Sequence, residues 1–278
     1  MFYEQLKDIY QSLTYSERKI ADYILANKDS IGDMTSQKMA DNLGIGQATV
    51  IRFSKKLGFR NYKYMLSALE EGERNYSDIE EIQLKESTAT TNEKIKNKVK
   101  FLIDFTDEAN TPQTYDAAVD LIREARYIYC YGYMSTMSVA VYMHELLQLF
   151  GLNSFCMEAH STMSSMRCQG EGGLLIVFSK SGETPITNEV VRFAKEKGLK
   201  VLAVSSYKPN SMVTKNKVDV WIKAMYSEVK TRFIHYTETI PFFYIVDCLV
   251  LNLYKRDFSH YSDNVEEHTA ITKKKNVK

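Results

Sequence analysis

Four cysteines in 278 residues, Cys130, Cys156, Cys168 and Cys248, are too few and too scattered for a disulfide framework or a zinc site. None forms a C-x-x-C pair and no histidine stands beside one at metal-ligand spacing. Reduced, mostly packed thiols in a cytoplasmic protein are the expectation. An excess of one charge sign is also lacking. The 36 Lys+Arg against 35 Asp+Glu leave +1, which argues against a uniformly basic coat for nucleic acid. It leaves local patches open, because charge acts over about a Debye length. No hydrophobic run is long enough to span a bilayer: Ile240 to Leu253 is broken by Asp247 and Asn252 and reads as a buried helix. The opening MFYEQLKDIYQSL carries acids and no basic segment leading into an apolar one, so no signal peptide is expected. Internal repeats and long low-complexity tracts are missing too. What is present is an ordinary globular composition, 44% hydrophobic and 26% charged, over a length that suits about two domains.

Composition separates three zones. Residues 1–70 are helical in pattern. Residues 70–93 are acidic, with only Arg74 and Lys85 against eight carboxylates, and contain the polar run Ser87-Thr88-Ala89-Thr90-Thr91-Asn92; this is the linker candidate. From about 94 to 256, helical segments alternate with short β-branched runs. Strands are expected at Ile128 to Tyr131, Leu174 to Phe178, Val201 to Val204 and Val218 to Ile222, with helices at Ser138 to Phe150 and Pro185 to Lys197. Pro185 suits a first helical turn and Gly198 the residue just past a helix end. Strands alternating with helices imply a parallel sheet covered on both faces, with ligands at the carboxyl ends of its strands. The closing Lys273-Lys274-Lys275-Asn276-Val277-Lys278 reads as solvated tail.

In the first zone, Thr14-Tyr15-Ser16-Glu17 is a capping box that opens a helix to about Asn27. Thr35-Ser36 opens a second through Asn42, and Leu43-Gly44-Ile45-Gly46 turns the chain into a third from Gln47 to Leu57. Two short helices joined by a glycine turn have the helix-turn-helix geometry, in which the second helix enters the major groove of double-stranded DNA. Ala40 and Val50 suit a close helix crossing. From Gln47 to Leu69 there is no acid, while Arg52, Lys55, Lys56, Arg60 and Lys63 are basic. Such a face can neutralise phosphates, and Gln47, Thr49 and Arg52 stand where base edges could be read. A helical bundle with one solvated basic face is the alternative.

The stretch Leu13-Thr14-Tyr15-Ser16-Glu17-Arg18-Lys19-Ile20-Ala21-Asp22-Tyr23-Ile24, with Met39-Ala40 and Ala48 to Phe59, resembles the N-terminal domain of RpiR-type transcriptional regulators. That family usually has Ser at the place of Gly46 and often Gly at the place of Asn61. Neither departure removes a candidate DNA contact.

In the third zone, Phe178-Ser179-Lys180-Ser181-Gly182-Glu183-Thr184-Pro185 lies between a strand and a helix. Three hydroxyls, Ser179, Ser181 and Thr184, surround one glycine at a helix N-terminus, which suits an anion. Simple capping of the helix is the alternative. This segment, with Ala194 to Gly198 and Val201 to Ser206, resembles the sugar isomerase (SIS) domain, an αβα sandwich carried by RpiR-type regulators. The resemblance implies that Ser179, Ser181, Gly182 and Thr184 hold a sugar phosphate. Where SIS domains tend to show Gly-x-Gly-x-Ser, this chain has Gly132-Tyr133-Met134-Ser135-Thr136. Ser135 and Thr136 would then supply hydroxyls, and Met134 narrows the backbone approach.

An aldose–ketose isomerase would need a general base. Glu158, His160, Glu228 and Glu238 are candidates, whereas His144 and Glu145 suit a structural or interface place. Fusion to a DNA-binding domain favours a sensor over an enzyme. The expected organisation is a helix-turn-helix domain (1–75), an acidic linker and connecting helix (76–105), an SIS domain (106–256) and a polar tail (257–278). The resemblance implies a homodimer or homotetramer paired through SIS helices, Ser138 to Phe150 and Ile240 to Leu253 being candidates, acting on an operator and a phosphosugar effector. No metal, cofactor or membrane is implied.

Overall fold

The computed structural model describes residues 10–27, 34–57, 85–169, 171–225 and 238–275, together with Leu6, Ile31, Tyr62, Met65 and Leu66. Backbone contacts divide the chain into two units, Met1–Lys98 and Val99–Lys278.

In the first unit, helix α1 (Tyr15–Ala26) opens with the expected capping box: Glu17 N donates to Thr14 Oγ1 at 3.4 Å, and Thr14 N to the Glu17 carboxylate at 2.8 Å. Helix α2 (Ser36–Leu43) starts under Thr35, whose Oγ1 accepts from Lys38 N at 3.1 Å. It stops at Gly44, whose φ of +61° is a left-handed conformation that a side chain would strain. Helix α3 (Gln47–Lys56) follows after two residues, and its N-cap, Gly46, supplies no side-chain bond. Ile20, Ala21 and Ile24 of α1, Met39 and Ala40 of α2, and Val50 and Phe53 of α3 are all buried in one core. Ala40 has no side chain beyond Cβ, so α2 can cross α3 closely. Helix α4 (Thr88–Glu108) spans the division between the units.

The second unit continues through α5 (Pro112–Glu124), β1 (Tyr127–Gly132), α6 (Met137–Leu149), β2 (Ser154–Cys156), α7 (Ala159–Gln169), β3 (Gly173–Ser179), α8 (Pro185–Glu196), β4 (Lys200–Ser206), α9 (Ser211–Asn216), β5 (Val220–Ala224), α10 (Ile240–Arg256) and α11 (Phe258–Lys275). The strands form a parallel sheet in the order β2-β1-β3-β4-β5. β1, β3 and β4 are buried along almost their whole length, as a sheet covered on both faces requires. Side chains alternate between two cores. Ile128, Cys130, Ile176, Phe178 and Val204 meet α5, α6 and α10. Tyr129, Tyr131, Leu175, Val177 and Ala203 meet α7 and α8. The expected strands and helices are present, displaced by one to three residues at their ends. β2 has no counterpart among the expected strands, because a three-residue edge strand is too short to show period-two alternation.

One expectation is corrected. Residues 257–278 read as a polar tail, yet Phe258–Lys275 is a helix and its Tyr261 is buried. Tyr261 and Tyr254 stack on Phe150 with ring centroids 4.9 and 5.5 Å away, and Asn264 Nδ2 donates to Phe150 O at 2.9 Å. A few aromatics spaced for one helix face hold an otherwise polar segment. Among the described residues, no helix is long and apolar enough to cross a membrane, and no cluster of His, Cys, Asp or Glu is suited to a metal ion.

Phe178 packs with both flanking strands and is fully buried. Phe178→Ala is expected to destabilise the second unit by about 3–5 kcal/mol and lower its thermal midpoint by about 6–20 °C. Scanning calorimetry of the parent and the variant checks this; midpoints within a degree of each other would contradict the packing described.

Candidate functional site

With about 3.6 residues per turn, burial of Val50, Phe53 and Ser54, and of Leu57 just past its end, fixes which side of α3 faces inward. The opposite side presents Ala48, Arg52 and Lys55, all exposed, with Ile51 half-buried at its margin. The residues singled out in the sequence divide here. Arg52 is outward, and its Nη2 lies 3.5 Å from Thr49 Oγ1, a long contact that draws the hydroxyl to the same face. Gln47 is exposed but its Nε2 donates to Ser36 Oγ at 3.1 Å, which ties the end of α3 to the start of α2. Lys56 turns back: its Nζ lies 2.8 Å from the Glu17 carboxylate. Burial works against the charge of Glu17, but the Lys56 ammonium and the Thr14 capping bonds prevail and hold its carboxyl below the usual range. The cation at 56 is therefore partly neutralised inside its own unit, and Arg52 and Lys55 are the outward cations. Arg60 and Lys63 lie outside the described residues. Ala48 and Ile51 are not among the residues that charge and hydrogen-bonding chemistry single out in the sequence, since neither carries a polar side chain. Their register against Val50 and Phe53 was the signal that could have found them.

The second candidate site follows from sheet topology. The chain leaves β1 through α6 towards β2 and leaves β3 through α8 towards β4. The carboxyl ends of the neighbouring strands β1 and β3 therefore form a switch point, where open parallel sheets leave a crevice. Both suspected ligand turns lie there. In the turn after β3, Gly182 N donates to Ser179 Oγ at 3.1 Å and Glu183 N to Ser181 Oγ at 3.2 Å. A hydroxyl that accepts still has its own O–H to donate. Thr184 is the N-cap of α8, yet its side chain makes no capping bond. Thr187, which sequence reading passed over, is buried in the first turn of α8, and its Oγ1 has no hydrogen-bond partner among the described residues.

The shape of this turn is fixed from behind. Gly182 has φ +72°, and a Cβ there would fall 2.1 Å from Asn210 Oδ1, so no other residue fits. Asn210 is itself held by the Ser205 hydroxyl, by the carbonyls of Ser206 and Lys208 and by Val213 N. The Glu183 carboxylate accepts from Ser211 N at 2.7 Å, and hydrogen bonding to Ser211 keeps its pKa low. Asn188 Nδ2 bridges the carbonyls of Gly182 and Thr184, both at 3.1 Å.

The turn after β1 differs from its expected part. Thr136 is buried, and its hydroxyl accepts from Tyr133 N and donates to Tyr133 O, both at 3.0 Å. It closes the turn on itself, and Ser135 is the exposed hydroxyl there. Met134, at the place of a family glycine, has φ +52° and is 78% exposed. Left-handed backbone at a residue with a side chain is strained by about 1–3 kcal/mol.

The base candidates also separate. Glu158 is exposed and accepts from Ser161 N and Ser161 Oγ at the head of α7; these bonds lower its pKa, the wrong direction for a base near neutrality. His160 is exposed, and Glu228 lies outside the described residues. His144 Nδ1 meets Ser154 Oγ at 2.8 Å. Glu238 is buried and pairs with Lys180, a residue of the turn after β3, at 3.3 Å.

Arg52→Ala and Lys55→Ala should each reduce the slope of log affinity for DNA against log salt by about 1, whereas Lys56→Ala should leave it unchanged. Fluorescence-anisotropy titrations over a salt series check this; an equal loss of slope in Lys56→Ala would contradict the geometry.

Residues 1–74 match the model of the helix-turn-helix domain of the rpiR family, and residues 121–237 match that of the SIS domain. The chain is 22% identical over 277 residues to the HTH-type transcriptional regulator YfhH of Escherichia coli (strain K12), covering 97% of this chain and 98% of that one. Among solved structures it resembles the Vibrio vulnificus NanR protein complexed with ManNAc-6P, with TM-score 0.60 and 19% identity over 98% of this chain and 97% of that one. It also resembles the sugar isomerase domain of an RpiR transcription factor from Sphaerobacter thermophilus, with TM-score 0.57 and 18% identity over 64% of this chain and 98% of that one. The chain belongs to the RpiR-type transcriptional regulators, a helix-turn-helix domain followed by an SIS domain.

Proposed function

We propose that this regulator senses a phosphorylated sugar or amino sugar in the cradle of Ser179, Ser181, Gly182 and Thr184, with Ser135 across the crevice, and thereby modulates operator binding. The observation that carries the reading is Thr184. An N-cap threonine ordinarily accepts a bond from its own helix, and this one leaves both its hydroxyl and the positive end of the α8 dipole to a ligand. The Thr187 hydroxyl in the same turn, without a partner among the described residues, and the O–H groups of Ser179 and Ser181 are donors matched to phosphate oxygens. NanR complexed with ManNAc-6P supports the ligand class by similarity.

The protein binds its ligand without converting it. The Glu238 carboxylate is held by the Lys180 ammonium of the turn after β3, and Glu158 caps a helix. DNA is engaged by residues 1–75, the link runs over 76–105 and the effector is bound within 106–256. The regulator works in the cytoplasm as a homodimer or homotetramer. Val141 on α6 and Leu251 on α10, 39% and 62% exposed, support pairing through those helices.

A thermal-shift panel of hexose and amino-sugar phosphates identifies the ligand, since binding to the folded state alone raises the midpoint. Titration calorimetry should then give about ten- to a hundredfold weaker binding to Ser181→Ala, the range for losing one hydrogen bond to a charged group, with operator affinity in the absence of ligand unchanged. Equal binding by parent and variant would reject the cradle. Turnover of the same sugar phosphate that disappears in Glu238→Gln would establish an isomerase instead.

A further inference from the structure

The electrostatic account of α3 leaves Ala48 and Ile51 unused. They stand three residues apart on the outward side of the helix, beside Arg52 and Lys55. Ala48 is exposed and Ile51 half-buried, so both carry hydrocarbon to the surface on this side of the helix. Gln47, the polar residue at the start of α3, has its side chain engaged within the unit, with Ser36. Neutralising phosphates needs cations and gains nothing from a branched hydrocarbon between them. In the major groove, the apolar feature of a base edge is the C5-methyl of thymine.

We propose that Ala48 and Ile51 are specificity-determining residues that pack on thymine methyl groups, so that each half-site of the operator carries thymine where this strip meets the groove. Arg52 and Lys55 flank the strip and engage a guanine edge or the adjoining phosphates. The inference rests on the reading of α3 as the helix that enters the major groove. It predicts a sequence preference that net charge cannot supply, because phosphate contacts are the same at every step.

The test uses the full-length protein and a random-sequence duplex pool to select bound sites, followed by replacement of each thymine in turn with deoxyuridine. That exchange removes one methyl group and leaves the pairing edge and the phosphates intact. At one or more positions in each half-site, affinity is expected to fall about fourfold, the effect of one buried methyl. Ile51→Ala should bind the thymine and uracil duplexes equally at such a position. The uracil scan is read on the unaltered protein, so it does not depend on the variant folding. Salt-dependent binding with no loss at any uracil position would overturn the inference while leaving α3 as a DNA-binding helix. So would a uracil effect that persists undiminished in both Ile51→Ala and Ala48→Gly. A pool from which no duplex is enriched would overturn the groove-entering helix and this inference together.

Discussion

Five strands running the same way impose the constraint on which the rest of the second unit depends. A parallel sheet sends every strand-to-helix turn to one edge, and the order β2-β1-β3-β4-β5 makes the connections after β1 and β3 diverge. The crevice at that edge is a consequence of connectivity. Residues there were left to supply its shape and chemistry. Gly182 against Asn210 fixes the shape of the turn after β3, and three hydroxyls, Ser179, Ser181 and Thr184, stand at the head of α8. Asn210 belongs to the segment after β4, so the packing of one βα unit on the next fixes the cradle.

The first unit solves a different problem with the same economy. Its net contribution to the near-neutral charge of the chain is a basic, acid-free stretch from Gln47 to Leu69, followed by acids from Glu70 to Glu93. A whole-chain sum therefore conceals the feature that matters. Within the helix, one cation turns inward to Glu17 and the rest of the outward face mixes charge with hydrocarbon. Charge on such a face gives affinity and on-rate without regard to sequence, and under the inference drawn above the apolar strip is what would discriminate among sequences.

Much of this was legible in the sequence because it is local. The Thr14–Glu17 capping box, the Thr35 cap, the Gly44 turn, Pro185 at the head of α8 and the Ser179 to Thr184 turn each involve residues within a few positions of one another. Contacts between distant residues were not legible. Lys56 sits in a basic run, and only the fold shows that Glu17, 39 residues away, claims it. Thr136 aligned with a ligand hydroxyl but closes its own turn, because the turn at Met134 brings the Tyr133 amide and carbonyl onto it. The helix over Phe258–Lys275 depends on Phe150, more than 100 residues earlier. Glu238 stands among the base candidates in the sequence, and only the fold shows that Lys180, 58 residues away, pairs with it.

The central claim is that occupancy of the cradle and operator binding are coupled, and coupling of binding sites is reciprocal. The most direct measurement is operator affinity with and without a saturating sugar phosphate, together with affinity for that sugar phosphate with and without operator. The account predicts that both affinities change by the same factor, about 5- to 150-fold for the usual range of coupling energies. Unchanged affinities in both titrations, with both ligands bound, would contradict it.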